Sequence, residues 1–121
     1  VQQIDDQPAD RDGLIVNLLD QRVLDPRPEF FSYALSKSAL WDATRMLARA
    51  LAPRIRVNGI APGPVLQSIH QTAEDFAAEA AATPLGHSAD PVEIGQALAY
   101  LIDARSVTGQ MIAVDAGQHL S

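Results

Sequence analysis

The stretch NLLDQRVLDPRPEFFSYALSKSAL (Asn17–Leu40) places a carboxylate, a phenol and an amine at set spacings among apolar neighbours. Asp20 stands thirteen residues before Tyr33, and Lys37 stands four residues after it. The run LIVNLL (14–19) ahead of Asp20 has the continuous apolar character of a strand buried on both faces. Residues 21–29 form a connection rich in charge and proline. FFSYALSKSALWDATRMLARAL (30–51) then turns to Ala, Leu, Met and Arg, all good helix formers, and Pro53 stops it. A strand that ends on Asp20 and feeds a helix carrying Tyr33 and Lys37 is the first half of a β-α-β unit.

The remaining chain repeats the alternation. RIRVNGIA (54–61) reads as a second strand, followed by the rigid turn Pro62-Gly63-Pro64. TAEDFAAEAAA (72–82) reads as a short helix with Thr72 as N-cap and Asp75 at the third helical position. DPVEIGQALAYLID (90–103) is a stronger helix: Asp90 caps, Pro91 suits the first position, and Glu93 completes a capping box. SVTG turns into QMIAVD (110–115), a third strand. The order β-α-β-α-α-β has no hairpin signal and predicts parallel strands joined by helical crossovers. Small apolar residues on several sides of helix 30–51 predict burial on more than one face. The opening VQQIDDQPADRDG (1–13) reads as the end of a helix followed by a polar loop. With only three strands, the expectation is a part of something longer.

Bulk properties narrow the function classes. Hydrophobic residues make up 47% of the 121, an ordinary globular share. The formal net charge of −6 opposes binding to a nucleic-acid backbone. With no Cys there is neither a disulfide framework nor a thiolate zinc site, and His70, His87 and His119 lack metal-ligand spacing and read as exposed polar residues. No apolar run approaches the length of a membrane span. A soluble, cytoplasmic protein is expected, with no nucleic-acid or membrane partner and no metal.

Residues four apart share a helix face, so the Lys37 ammonium can approach the Tyr33 phenol, where a positive charge favours phenolate. Alone, this pair is as well explained by a solvated or packing contact. The strand ending in Asp20, the helical YALSK, RIRVNGIAPGPV and VTGQMIAVDAG together resemble, in order, the C-terminal half of the short-chain dehydrogenase/reductase family. The resemblance implies an α/β fold: the C-terminal half of a doubly wound, mostly parallel Rossmann-type sheet with flanking helices. Residues 1–121 would form the C-terminal part of a single Rossmann-type oxidoreductase domain whose dinucleotide-binding N-terminal half is not in this chain. It implies Tyr33 as the proton donor or acceptor, and Lys37 as the residue that holds the nicotinamide ribose and lowers the Tyr33 pKa. It also implies cofactor contacts at Pro62, Gly63 and Val65.

Asp20 departs from the common pattern, in which a Ser donates to a substrate carbonyl. An ionised carboxylate only accepts hydrogen bonds, so it suits a substrate that brings its own N–H groups. This pattern resembles the pteridine reductase branch, including the bacterial alternative dihydrofolate reductases. The resemblance implies NADP(H), hydride transfer to a C=N bond of a pterin or dihydrofolate, catalytic Asp20, Tyr33 and Lys37, and a homo-oligomer, dimer or tetramer, formed through helix 30–51. Two alternatives stay open: another short-chain carbonyl reductase, such as a 3-oxoacyl-acyl-carrier-protein type, and a truncated, non-catalytic assembly module. As a fragment alone the chain is expected to be inactive. Phe30 and Phe31 stand at the entrance of the expected site. Asn17 and Asn58 read as structural, and Trp41 and Met46 as packing residues.

By the same resemblance, residues 66–89 correspond to a mobile substrate lid, and their Ala-rich acidic helix has little apolar bulk to anchor it. Backbone amides of 66–89 are expected to exchange rapidly in the free protein and slowly with cofactor and substrate both bound, as read by hydrogen exchange; equal exchange in the two states would count against a lid.

Overall fold

The computed structural model describes residues 12–121; the expected helix end at the start of the chain lies largely outside them. Three strands, β1 (Gly13–Leu18), β2 (Ile55–Pro62) and β3 (Met111–Val114), form one sheet in the order β1-β2-β3. Both pairings are parallel, with Leu18 opposite Ile60 and Pro62 opposite Val114. Helices α1 (Phe31–Leu51), α2 (Ala73–Ala81) and α3 (Pro91–Asp103) make the crossovers. The chain therefore has the expected α/β, Rossmann-type architecture, with bounds within a residue or so of the sequence reading.

The core sits under the central strand. Ile55, Val57, Ile60 and Ala61 of β2 are buried, and Ile55 and Val57 pack with Ala48 of α1. β1 is only half-buried along most of its length; among the described residues it has a hydrogen-bonded neighbour on one edge alone. Polar side chains bind the layers together. Asn17 Nδ2 donates to Thr44 Oγ1 at 3.0 Å, tying β1 to α1. Fully buried Asn58 donates to the Val107 carbonyl at 2.9 Å and accepts from the Gln110 N–H at 3.1 Å, holding the turn that leads into β3. Arg56 reaches from β2 to the last carbonyls of α3, donating to Leu101 and Ala104 at 2.7 and 2.8 Å, where a cation also complements the helix dipole.

The helix starts follow their caps. Thr72 accepts from the Asp75 N–H, and Asp90 accepts from the Val92 N–H; both form full capping boxes, the second with Pro91 at its start. Each such cap contributes on the order of 1 kcal/mol. Helix α1 begins differently. Its cap residue Phe30 has φ 54° and makes no side-chain cap bond, a left-handed conformation that is uncommon for an aromatic residue.

Two expectations need correction. Among the described residues α1 is not covered on several sides: only its Thr44 and Ala48 are buried, while Phe31, Leu35 and Met46 are exposed. One face meets the sheet, and the small residues elsewhere on the helix have no neighbouring layer among the described residues. Met46 is accordingly 71% exposed rather than a packing residue. Helix α2 buries none of its residues, consistent with the weak anchoring read from its composition. No helix among the described residues is long and apolar enough to cross a membrane.

Replacing fully buried Asn58 by Ala removes its bonds to the Val107 carbonyl and the Gln110 N–H. Hydrogen bonds of this kind contribute about 0.5–1.5 kcal/mol each, so a clear fall in the denaturation midpoint is expected on chemical unfolding of Asn58→Ala.

Candidate active site

Parallel pairing puts the carboxyl ends of all three strands on one edge of the sheet, where open α/β sheets bind ligands. The β1–β2 ladder continues one residue past the strand: the Leu19 N–H donates to the Ile60 carbonyl at 2.7 Å, and the Leu19 side chain is buried. Asp20 follows immediately. It caps a 3-10 turn (Gln21–Leu24), its Oδ1 accepting from the Arg22 N–H at 2.8 Å. The Arg22 guanidinium donates to Oδ2 at 3.1 Å. One residue, Arg22, thus engages both oxygens of the Asp20 carboxylate.

The start of α1 brings Tyr33 to the same place. The Asp20 carboxylate acts on the Tyr33 hydroxyl, whose pKa is raised. Partial burial is the largest cause, followed by the Asp20 carboxylate through its charge and its capacity to accept from the phenol; Arg22 acts in the lowering direction. The Arg22 guanidinium carbon lies 5.0 Å from the Phe30 ring centroid and 5.8 Å from that of Tyr33, within cation–π range of both. Lys37 Nζ stands 5.8 Å from the Tyr33 ring centroid and donates to the Leu18 carbonyl at 3.0 Å. Asp20, Tyr33 and Lys37 are therefore gathered at the end of β1.

The expected lowering of the Tyr33 pKa by Lys37 is not what this arrangement produces. The ammonium is directed to a backbone carbonyl at the strand end, and burial of the phenol together with the Asp20 carboxylate disfavours phenolate, so the shift runs upward.

Pro62, Gly63 and Val65 lie on the same sheet edge, at the end of β2. Pro62 is the last residue of the strand, and the Gly63 N–H continues the β2–β3 ladder to the Val114 carbonyl at 3.0 Å. A Cβ on Gly63 would stand 2.7 Å from Asp115 Cα, a backbone atom that cannot swing aside, so only glycine fits. The Pro64 carbonyl accepts from the Ala89 N–H at 3.1 Å, which fastens this turn to the segment before α3.

Two features escaped the sequence reading. Arg22 belongs to the site, beside the Phe30 expected at its entrance, although nothing in the helix or strand periodicity marks it. Spacing offered one signal for Arg22: an Arg two residues after a strand-end Asp can fold back on it. The second is a buried pair at the end of β3. Asp115 accepts from the His119 N–H at 2.8 Å, and its Oδ2 lies 2.7 Å from His119 Nδ1. His119 is half-buried with its ring against this buried carboxylate, whereas His70 and His87 are exposed. Among the described residues, no group of three or more His, Cys, Asp or Glu is arranged to hold a metal ion.

The family model described as enoyl-(acyl carrier protein) reductase matches residues 5–119. The short-chain dehydrogenase/reductase homolog YusR of Bacillus subtilis is 37% identical over 111 residues, covering 91% of this chain and 86% of that protein. This chain belongs to the short-chain dehydrogenase/reductase family. A dihydromonapterin reductase of Escherichia coli is 36% identical over 107 residues, which cover 88% of this chain but 44% of that protein. Among solved structures, the FolM alternative dihydrofolate reductase 1 from Brucella suis, in complex with NADP, superposes with a TM-score of 0.94 at 56% identity. The match covers 97% of this chain and 47% of that one. The chain thus spans most of YusR and a little under half of the other two.

Asp20→Asn removes the charge that helps hold the Tyr33 proton. The Tyr33 pKa is expected to fall towards its ordinary value of about 10 in the variant, read by ultraviolet or NMR titration. An unchanged or higher value would mean that Asp20 does not govern the phenol.

Proposed function

We propose that this chain carries the acid–base centre of an NADPH-dependent reductase acting on a C=N bond of a pterin or dihydrofolate. The observation that supports this most is the pairing of Asp20 with Tyr33. A plain carbonyl reductase gains from a hydrogen-bond donor facing the substrate oxygen, and an ionised carboxylate there repels the developing alkoxide. A ring rich in N–H groups instead finds an acceptor in Asp20 and a proton donor in Tyr33. The likeness to FolM and to dihydromonapterin reductase supports the same substrate class.

Each residue then has a chemical task. Tyr33, with its pKa raised, holds its proton at neutral pH and delivers it to the reacting ring nitrogen. Asp20 orients the Tyr33 hydroxyl and accepts from the ring. Lys37 spends one donor on the Leu18 carbonyl and, with three N–H groups, retains donors for the hydroxyls of the nicotinamide ribose. Pro62, Gly63 and Val65 offer backbone at the neighbouring strand end for the carboxamide. The nicotinamide supplies the hydride. These residues fit that group, since exposed ammonium donors and a turn held tight by Gly63 share one edge of the sheet.

We read residues 1–121 as the C-terminal part of a single Rossmann-type domain, with the dinucleotide-binding half supplied by further sequence or another chain. Spanning 47% of FolM and 44% of dihydromonapterin reductase supports this reading. Exposed apolar side chains on α1, Phe31, Leu35 and Met46 among them, support α1 as the contact of a homo-oligomer. The competing reading is a carbonyl reductase of the 3-oxoacyl type, favoured by the likeness to a putative ketoacyl reductase of Streptomyces violaceoruber, 33% identical over 112 residues.

The protein expressed from its complete reading frame separates these. Asp20→Ser is expected to lower kcat/KM for a dihydropterin by about a hundredfold, within the range for a lost acid–base group. Retained pterin reduction in this variant would remove the role given to Asp20. Tyr33→Phe is expected to abolish turnover while leaving the oligomeric state, measured by light scattering, unchanged. Turnover that survived the loss of the hydroxyl would refute the proton donor.

A further inference from the structure

The two bonds that Arg22 makes to Asp20 differ in kind. The backbone N–H on Oδ1 is part of the 3-10 turn that Asp20 caps, and it holds as long as the turn does. The guanidinium on Oδ2 belongs to a side chain that is 39% exposed, against 13% for Asp20. Ion pairs with this much solvent access are weak and readily exchanged. One oxygen is anchored and the other is held by a displaceable group.

That group has a telling shape and position. A guanidinium is a flat N–C–N unit with N–H donors along its edges. Here it lies close to the faces of Phe30 and Tyr33, with one edge on a carboxylate. An amino-substituted pyrimidine ring presents the same flat N–C–N edge and the same donors. Beside Arg22 opens a cavity of about 350 Å³ that it lines together with Phe30, Asp25, Glu29 and Glu79. Glu29 makes no ion pair among the described residues, so a displaced guanidinium has a carboxylate to turn towards.

We propose that Arg22 is a specificity-determining residue that occupies, in the free site, the place of the substrate's amino-pyrimidine edge, and gives up Asp20 Oδ2 when that edge binds. The inference rests on the pterin or folate reading of the site. A ligand with N–H donors replaces the bond it breaks. A ligand without them would leave the carboxylate stripped of its cation, and is rejected. Selection for nitrogen-rich rings thus comes from competition for one oxygen, in addition to the presence of Asp20 itself.

Arg22→Met tests this in the protein expressed from its complete reading frame. The variant keeps an apolar stem against Phe30 and Tyr33 and keeps the backbone N–H on Oδ1. Equilibrium binding of a dihydropterin, in the presence of NADPH analogue, is expected to tighten about two- to fivefold, the worth of a part-exposed ion pair. KM should fall in step while kcat changes less. A purely supporting role for Arg22 predicts the opposite split, with kcat reduced and binding unchanged or weaker, and that result overturns the inference. Arg22→Lys keeps the charge but loses the flat fork, and should bind between the wild type and Arg22→Met. If Arg22→Met fails to fold, Arg22→Lys decides: binding no tighter than wild type overturns the proposal. A wild-type protein that binds no pterin overturns both this inference and the function it rests on; a wild type that reduces pterin while the variants bind it no more tightly overturns this inference alone.

Discussion

Parallel strands cannot be joined by a tight turn, because the second must begin at the same end of the sheet as the first. Every other feature of this chain follows from meeting that constraint twice. α1 carries the chain back beneath β1 and β2, and α2 and α3 do the same between β2 and β3. As a result Asp20, Gly63 and Asp115, each just beyond a strand, emerge along one edge. The return of α1 to that edge delivers Tyr33 and Lys37 beside Asp20. The site is a consequence of strand direction before it is a consequence of any side chain.

At that edge the electrostatics are set by proximity to a carboxylate. Asp20 draws Arg22 by charge and hydrogen bond, and, after burial, it is the main cause of the raised Tyr33 pKa. Lys37 Nζ stands 5.8 Å from the phenol ring centroid and secures the helix to the strand through the Leu18 carbonyl. The two cations are therefore divided in function: one screens the carboxylate, and one holds the strand end. The same division makes the site responsive to what enters it, because the screening cation is the more exposed member of its pair.

Much of this was legible in the residues. LIVNLL and QMIAVD announced strands by continuous apolar character, and the Thr72–Asp75 and Asp90–Glu93 spacings announced helix starts that the structure shows as full capping boxes. Caps are readable because they involve residues three apart whose contacts are local. The Asp20, Tyr33 and Lys37 spacings were readable for a similar reason, once strand and helix were assigned. What could not be read required partners distant in sequence or an unusual backbone. The left-handed Phe30, the placement of Arg22 between two rings, and the Asp115–His119 pair have no periodic signature. The exposed side of α1 was misread because small residues fit a crowded interface equally well whether it is made within the chain or outside it.

The sequence by itself determined the order of elements, the direction of the strands and the identity of the groups that could do acid–base work, since these depend on local propensity, capping and connection length. Only the tertiary structure decided how those groups act on one another. Whether a tyrosine four residues from a lysine is pulled towards phenolate depends on its burial and on the other charges brought to it in space. Here burial acts first, and then an aspartate from the preceding strand end, thirteen residues away along the chain. Coulomb interactions follow distance and burial rather than sequence spacing, so the sign of the shift belonged to the fold.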